Sequence, residues 1–176
     1  MIMTVEELRQ YITTDETDAM LEMKLSAIEL MIRKYTNNNF QNRGFRIEAD
    51  IRAGVFMSKL LIPFDVGDTI MVSESDLQSD CLAVVTEAND LTFITDAEWA
   101  DDDNILVTKV VYPADIKMGV VNLMKWELNN RSKVGIQSET ISRHSVTYFS
   151  MDGDNASMGY PKSLTGFLIP YKKARF

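Results

Sequence analysis

Apolar residues recur with one period near both ends of the chain and with another in the middle, and that change organises the sequence. Leu21, Leu25, Ile28, Ile32 and Tyr35 are spaced 4, 3, 4 and 3 apart, which marks an apolar seam along one face of a helix. Thr13 with Glu16 supplies a capping box for its start, and Asp15 and Asp18 favour the positive helix end. Thr4 with Glu7 opens a shorter helix over roughly residues 4–12. Met20, Met23, Ala27 and Leu30 make a second apolar stripe beside the seam. Glu22, Ser26, Glu29 and Arg33 make the only clearly polar one, with Glu29 and Arg33 an i,i+4 pair. A helix so broadly apolar needs cover on more than one side. In a chain this short, a neighbouring subunit is a reasonable source of the second cover.

Thr36-Asn37-Asn38-Asn39 ends that helix, and the pattern turns to strands and turns from about Phe45 to Tyr112. Expected strands are Phe45–Ile51, Lys59–Ile62, Asp68–Ser73, Leu82–Thr86, Leu91–Thr95 and Asn104–Tyr112. Glu87-Ala88-Asn89-Asp90 gives a hairpin spacing between two of them. Strands this short at this spacing suggest a small antiparallel barrel or sandwich.

Pro113 and Asp115 then signal a helix to about Arg131. Ile116, Val120, Leu123 and Met124 face one way, Val121 and Leu128 widen the stripe, and Gly119 permits a close approach. Residues 138–149 are extended by propensity, yet neither alternate set is convincingly apolar. Such a strand is weakly specified alone and often pairs with another chain. Met151–Gly159 is turn-rich, and Pro161 starts a last helix with Leu164, Phe167 and Leu168 on its apolar face and Pro170 interrupting it. The expected fold is α+β. A small helical bundle over 1–44 and 112–176 carries an inserted antiparallel β module over 45–111 and an extended C-terminal arm over 136–150.

Composition narrows the function. The charge is −8, with 18 basic and 26 acidic residues among 176, so general binding to a phosphate backbone is disfavoured and nearby DNA would be repelled. One cysteine, Cys81, excludes an intrachain disulfide. The opening residues lack a signal-peptide pattern, and no stretch approaches the roughly 18 apolar residues of a membrane span. The expectation is a soluble intracellular chain with no membrane contact.

Catalytic and metal signals are sparse. Asp152-Gly153-Asp154-Asn155 invites a calcium-loop reading, but Ala156, Ser157 and Ser163 stand where a ligand, a glycine and a glutamate are needed. Asp101-Asp102-Asp103 reads as a solvated loop. His144 is the only histidine and cannot build a histidine-based zinc site. A Cys81–His144 or Ser–His nucleophile pair has no recognisable motif around it. Trp99 and Trp126 read as packing anchors. No enzyme activity, catalytic residue, metal or cofactor is expected.

The order of segments resembles the head–tail connector (head-completion, adaptor) proteins of tailed bacteriophages. The resemblance rests on the helix ending IRKYTNNNF (32–40), the helix YPADIKMGVVNLMKWELNNR (112–131), the run VGIQSETISRHSVTYF (134–149) and the terminal PKSLTGFLIPYKKARF (161–176). Its most specific part is Gly135, Ser138, Glu139 and the Ser145–Tyr148 ending. Residues 45–111 depart from the short members, which have only a loop there. The resemblance implies a dodecameric ring, a homo-oligomer, at the virion neck. The ring would be made in the host bacterial cytoplasm, dock on the portal protein, extend the DNA exit channel without sequence-specific binding and receive the next neck or head-closure protein.

On this reading the portal interface is expected at Tyr171, Lys172, Lys173, Arg175 and Phe176, where basic and aromatic residues meet on an acidic chain. Subunit–subunit contacts are expected at Leu21, Leu25, Ile28, Ile141, Val146 and Tyr148. The main competitor is a monomeric adaptor that binds a protein partner through its β module. A third reading is a hydrolase using Ser145 or Cys81 with His144.

Overall fold

The computed structural model describes residues 1–134, 138–141, 144–147 and 154–174. It is α+β and divides into two compact units, one of Asn39–Tyr112 with Met1, the other of Ile2–Asn38 and Pro113–Phe176.

The first unit is a closed antiparallel barrel of six strands. They are β1 (Gln41–Arg52), β2 (Val55–Ser58), β3 (Thr69–Ser73), β4 (Cys81–Ala88), β5 (Thr92–Thr95) and β6 (Asp102–Val110). They neighbour one another in the order β1-β2-β5-β4-β3-β6, with β6 closing on β1. Period-two alternation builds the interior: Ile47, Ala49 and Ile51 from β1, Ile70 and Val72 from β3, Ala83 and Val85 from β4, Ile105 and Val107 from β6. Phe56 and Phe93 stack at 4.5 Å between centroids, and Trp99 and Phe64 meet them edge-on at 5.3 and 5.6 Å. Phe56, Phe64 and Phe93 are buried, and each contributes about 1.5–3 kcal/mol by leaving water, while Trp99 is half-buried at their edge. Trp99 is the packing anchor its sequence position suggested, and its Nε1–H donates to Thr95 Oγ1 at 2.7 Å.

The second strand lies earlier than Lys59–Ile62. Ala53 and Gly54 have φ of 51° and 78°, the twist of a two-residue hairpin matched to the strands. This turn fixes β2 at Val55–Ser58, with Phe56 and Ser58 buried. The apolar Leu60 and Leu61 are left 66% and 73% exposed.

The second unit contains α1 (Val5–Arg9), α2 (Asp18–Thr36), α3 (Ala114–Asn130) and α4 (Lys162–Thr165). It also holds two small hairpins, β7 (Ser138–Ile141) with β8 (His144–Thr147), and β9 (Ala156–Ser157) with β10 (Tyr160–Pro161). Thr4 caps α1 by accepting from the Glu7 N–H at 3.1 Å. The cap of α2 is Thr17, which accepts from Met20 N–H, rather than Thr13. Arg9 explains the shift: its guanidinium bonds Asp18 and the carbonyls of Thr14 and Glu16, holding that stretch as a link outside the helix. Asn37 ends α2 in the left-handed conformation, φ 49°, which asparagine tolerates.

The last helix is shorter than expected, since α4 tightens into a 3₁₀ turn over Gly166–Tyr171. Pro170 within it has no N–H to continue an α-helical ladder. Within the expected arm over 136–150, β7 and β8 pair antiparallel from Ser138↔Thr147 to Ile141↔His144, and the remaining arm residues lie outside the described residues.

Candidate assembly surfaces

The seam of α2 is the side its own subunit uses. Leu21, Leu25, Ile28 and Ile32 are buried, and α2 lies against α1, α3 and the terminal 3₁₀ turn. Leu21, Leu25 and Ile28, expected at a subunit boundary, therefore serve this chain's interior. The polar stripe is interrupted as well, because Glu29 is buried and its Oε2 accepts from the Ile2 N–H at 3.0 Å.

The second apolar stripe is the one left outside. Met20, Met23 and Leu30 are 41%, 67% and 49% exposed, and Ala27 is exposed between them. Next to the stripe lies an open, mostly apolar groove of about 520 Å³ lined by Ala27, Leu30, Met31, Lys34, Tyr35 and Met158. Met158 reaches it because Met158 and Gly159, at φ 55° and 78°, make the tight turn between β9 and β10. Met31 and Met158 join the groove without lying on either apolar stripe of α2. The Met-Gly turn pair was the available signal for the second.

A polar latch holds that turn in place. Arg131 donates through Nε to Glu127 Oε2 at 2.9 Å and through a terminal nitrogen to the Gly159 carbonyl at 2.9 Å. The Tyr160 hydroxyl donates to the same Glu127 oxygen at 3.0 Å. The guanidinium stands 4.8 Å from the ring centroids of both Trp126 and Tyr160, which adds cation–π attraction. Burial works to raise the Glu127 carboxyl, but hydrogen bonds from Arg131 and Tyr160 outweigh it and hold the group below its usual range. Burial, then the Glu127 charge, push the Tyr160 phenol up to about 12. Trp126 is thus a packing anchor for this latch.

The C-terminal candidates are tied to α2 and α3. The Tyr171 hydroxyl donates to both Asp115 carboxylate oxygens at 2.8 Å, and that bond raises its pKa. The Lys173 N–H donates to the Thr36 carbonyl at 2.8 Å, and Asn37 Nδ2 donates to the Ala174 carbonyl at 2.9 Å. The tail main chain therefore satisfies the end of α2. Lys172 Nζ lies 3.8 Å from the Tyr35 ring centroid, and its hydrogen bond lowers the Tyr35 pKa. Lys172 and Lys173 are exposed. Ile141 lies on β7 and Val146 on β8, while Tyr148, Arg175 and Phe176 lie outside the described residues.

No family model matches this chain, and no curated protein matches it.

Charge is unevenly shared. Asn39–Tyr112 carries five basic and fourteen acidic residues, a net of −9, and the rest of the chain is +1. The acidic balance is thus a property of the barrel unit. The run Asp101–Asp103 has structural work there: Asp101 accepts from Ala53 N–H, Asp103 pairs with Arg52, and Asp102 accepts from Ser75 Oγ. Among the described residues no group of His, Cys, Asp and Glu side chains is arranged to hold a metal ion. Cys81 opens β4 in the barrel unit, and His144 opens β8 in the other unit. No helix among the described residues is long and apolar enough to cross a membrane.

Proposed function

We propose that this chain is a structural assembly subunit of a tailed-phage neck. Copies form a ring that docks on the portal, extends the DNA exit channel and receives the next neck component. The observation that carries the reading is the free stripe of α2. Three large apolar side chains and Ala27 are exposed on one helix face beside an apolar groove, and covering each large one by a neighbour would gain roughly 1 kcal/mol, about half the value for a fully exposed side chain. A contiguous exposed patch of this kind marks an interaction surface. Methionines at Met20, Met23, Met31 and Met158 suit a contact that adapts to its partner.

The portal-facing surface in this reading is the cationic end at Lys172 and Lys173, together with Arg175 and Phe176. The barrel unit, with its net charge of −9, lies where it decorates the ring or meets the next neck component.

Electron microscopy of the chain mixed with portal rings tests the reading. Added ring density on the portal, with one copy per portal subunit, is the expected result. A chain that stays monomeric and leaves portal particles unchanged would instead fit the adaptor reading.

A further inference from the structure

The barrel wall has a gap with a defined chemistry. β2 pairs with β1 only from Ala49↔Ser58 to Arg52↔Val55, whereas β1 continues back to Gln41 along β6. The ladder's alternation shows which groups face that gap. Arg52 and Val55 close a two-residue hairpin, and such a closing pair exchanges both its hydrogen bonds. Asp50, Glu48 and Arg46, each two residues further back, therefore also point their N–H and C=O groups to the β2 side.

The opposite wall agrees with this assignment. Val111 N–H donates to the Phe40 carbonyl at 3.0 Å, and continuing that alternation along β6 gives Ile47 and Ala49 the bonds to Val107 and Ile105. Asp50 is paired with Met57. Among the described residues, the β1–β2 pairing ends at Ala49↔Ser58, and no main-chain bond joins Glu48 or Arg46 to residues 59–62. The gap opens into a groove of about 380 Å³, lined by Arg46, Glu48, Asp50, Met57, Lys59 and Leu60 among others.

The same chain carries a matching strand. Among the described residues β7 and β8 form a two-stranded sheet with no third strand, and such a hairpin is marginal in water by itself. Ile141↔His144 closes a two-residue connection, so by the same alternation Ser145 and Thr147 point their main-chain groups outward from β8. Two residues, two positions apart, face out from β8. Two with the same spacing face the gap from β1. Charge selects β8 over β7, since His-Ser-Val-Thr has no acid while β7 holds Glu139, and the barrel unit is strongly negative.

We propose that the outer edge of β8 in one copy adds as a strand to the Arg46–Glu48 edge of the barrel in a second copy. The joint is main-chain addition to a sheet edge. It is heterologous, linking two different surfaces of one chain, and such joints close into rings when the rotation between copies permits. The inference rests on the assembly-subunit reading and adds to it a joint separate from the α2 stripe. Charged side chains such as Arg46, Glu48 and Lys59 also serve edges that avoid pairing, so the test turns on main-chain groups and on which chain supplies them.

In a Cys81→Ser background, Glu48→Cys and Ser145→Cys are placed in separate copies, mixed and oxidised. A disulfide-linked dimer in the mixture, absent from either copy alone, is expected. Amide exchange at Arg46 and Glu48 should slow on assembly, and Ser145→Pro should abolish that slowing. This proline removes one outward N–H and leaves the inner ladder through His144 and Val146. A crosslink formed within one chain carrying both cysteines in dilute solution overturns the proposal. Oligomers that form without the link, with fast exchange at Arg46 and Glu48, overturn it and leave the assembly reading standing. A chain that stays monomeric at every concentration, with and without portal rings, overturns both.

Discussion

The Phe167 ring lies over Gly119 so closely that a Cβ at residue 119 would stand 2.3 Å from the ring carbons. This contact seats the terminal 3₁₀ turn on the middle of α3. Gly119→Ala gains up to about 1 kcal/mol of helix propensity and incurs roughly 1–3 kcal/mol of overpacking. The variant should therefore lower the thermal midpoint. In a Phe167→Leu background the overpacking is relieved and the same substitution should become neutral or stabilising. A double-mutant cycle by thermal unfolding reads both outcomes.

The latch on the β9–β10 turn has a pH signature. Tyr160 has its pKa raised to about 12 in the folded chain, against about 10 for an unperturbed phenol. Its contribution is whole below the unfolded value and is lost as pH rises toward the folded one. Tyr160→Phe removes a hydrogen bond to a charged group, worth about 1.5–3 kcal/mol near neutrality. The stability gap between Tyr160→Phe and the unmodified chain should narrow between pH 10 and 12. Denaturant unfolding across that range checks it, and a gap that widens would contradict the assignment.

The tail calls for charge reversal rather than truncation. Deleting residues 171–176 would remove the bonds from Lys173 to Thr36 and from Asn37 to Ala174, so lost docking would be confounded with a frayed α2. Lys172→Glu with Lys173→Glu keeps the main chain. It should change stability by no more than about 1 kcal/mol, the scale of one exposed cation–π contact. Portal binding, measured by co-sedimentation with portal rings, should be lost. Wild-type binding by this variant would place the docking surface elsewhere.

Much of this fold is legible in the sequence, and the gaps have physical causes. The alternation of Ile47, Ala49 and Ile51 and the 4-3-4 seam of α2 are local signals, and the interior uses both as written. The Leu60-Leu61-Ile62 run looked like a strand. Its position is decided instead by the Ala53-Gly54 turn, which ends the hairpin before the run begins. Periodicity revealed two apolar stripes on α2 but not which one the chain covers, because that depends on where α1 and α3 pack. The hold on the tail includes a bond from the Lys173 N–H to the Thr36 carbonyl and one from the Asn37 side-chain amide to the Ala174 carbonyl, and the main-chain groups in these bonds leave no mark in side-chain pattern.

In the proposed assembly the exposed stripe of α2 joins copies of this chain. Met23→Lys with Leu30→Lys places charge on that stripe, and substitutions at exposed positions usually change stability by within about 0.5 kcal/mol. The direct measurement is particle mass by sedimentation across a concentration series, with and without portal rings, alongside the thermal midpoint. Concentration-dependent or portal-dependent assembly of the unmodified chain is expected, with a double variant that stays monomeric at a nearly unchanged midpoint. A double variant that assembles like the unmodified chain would contradict it.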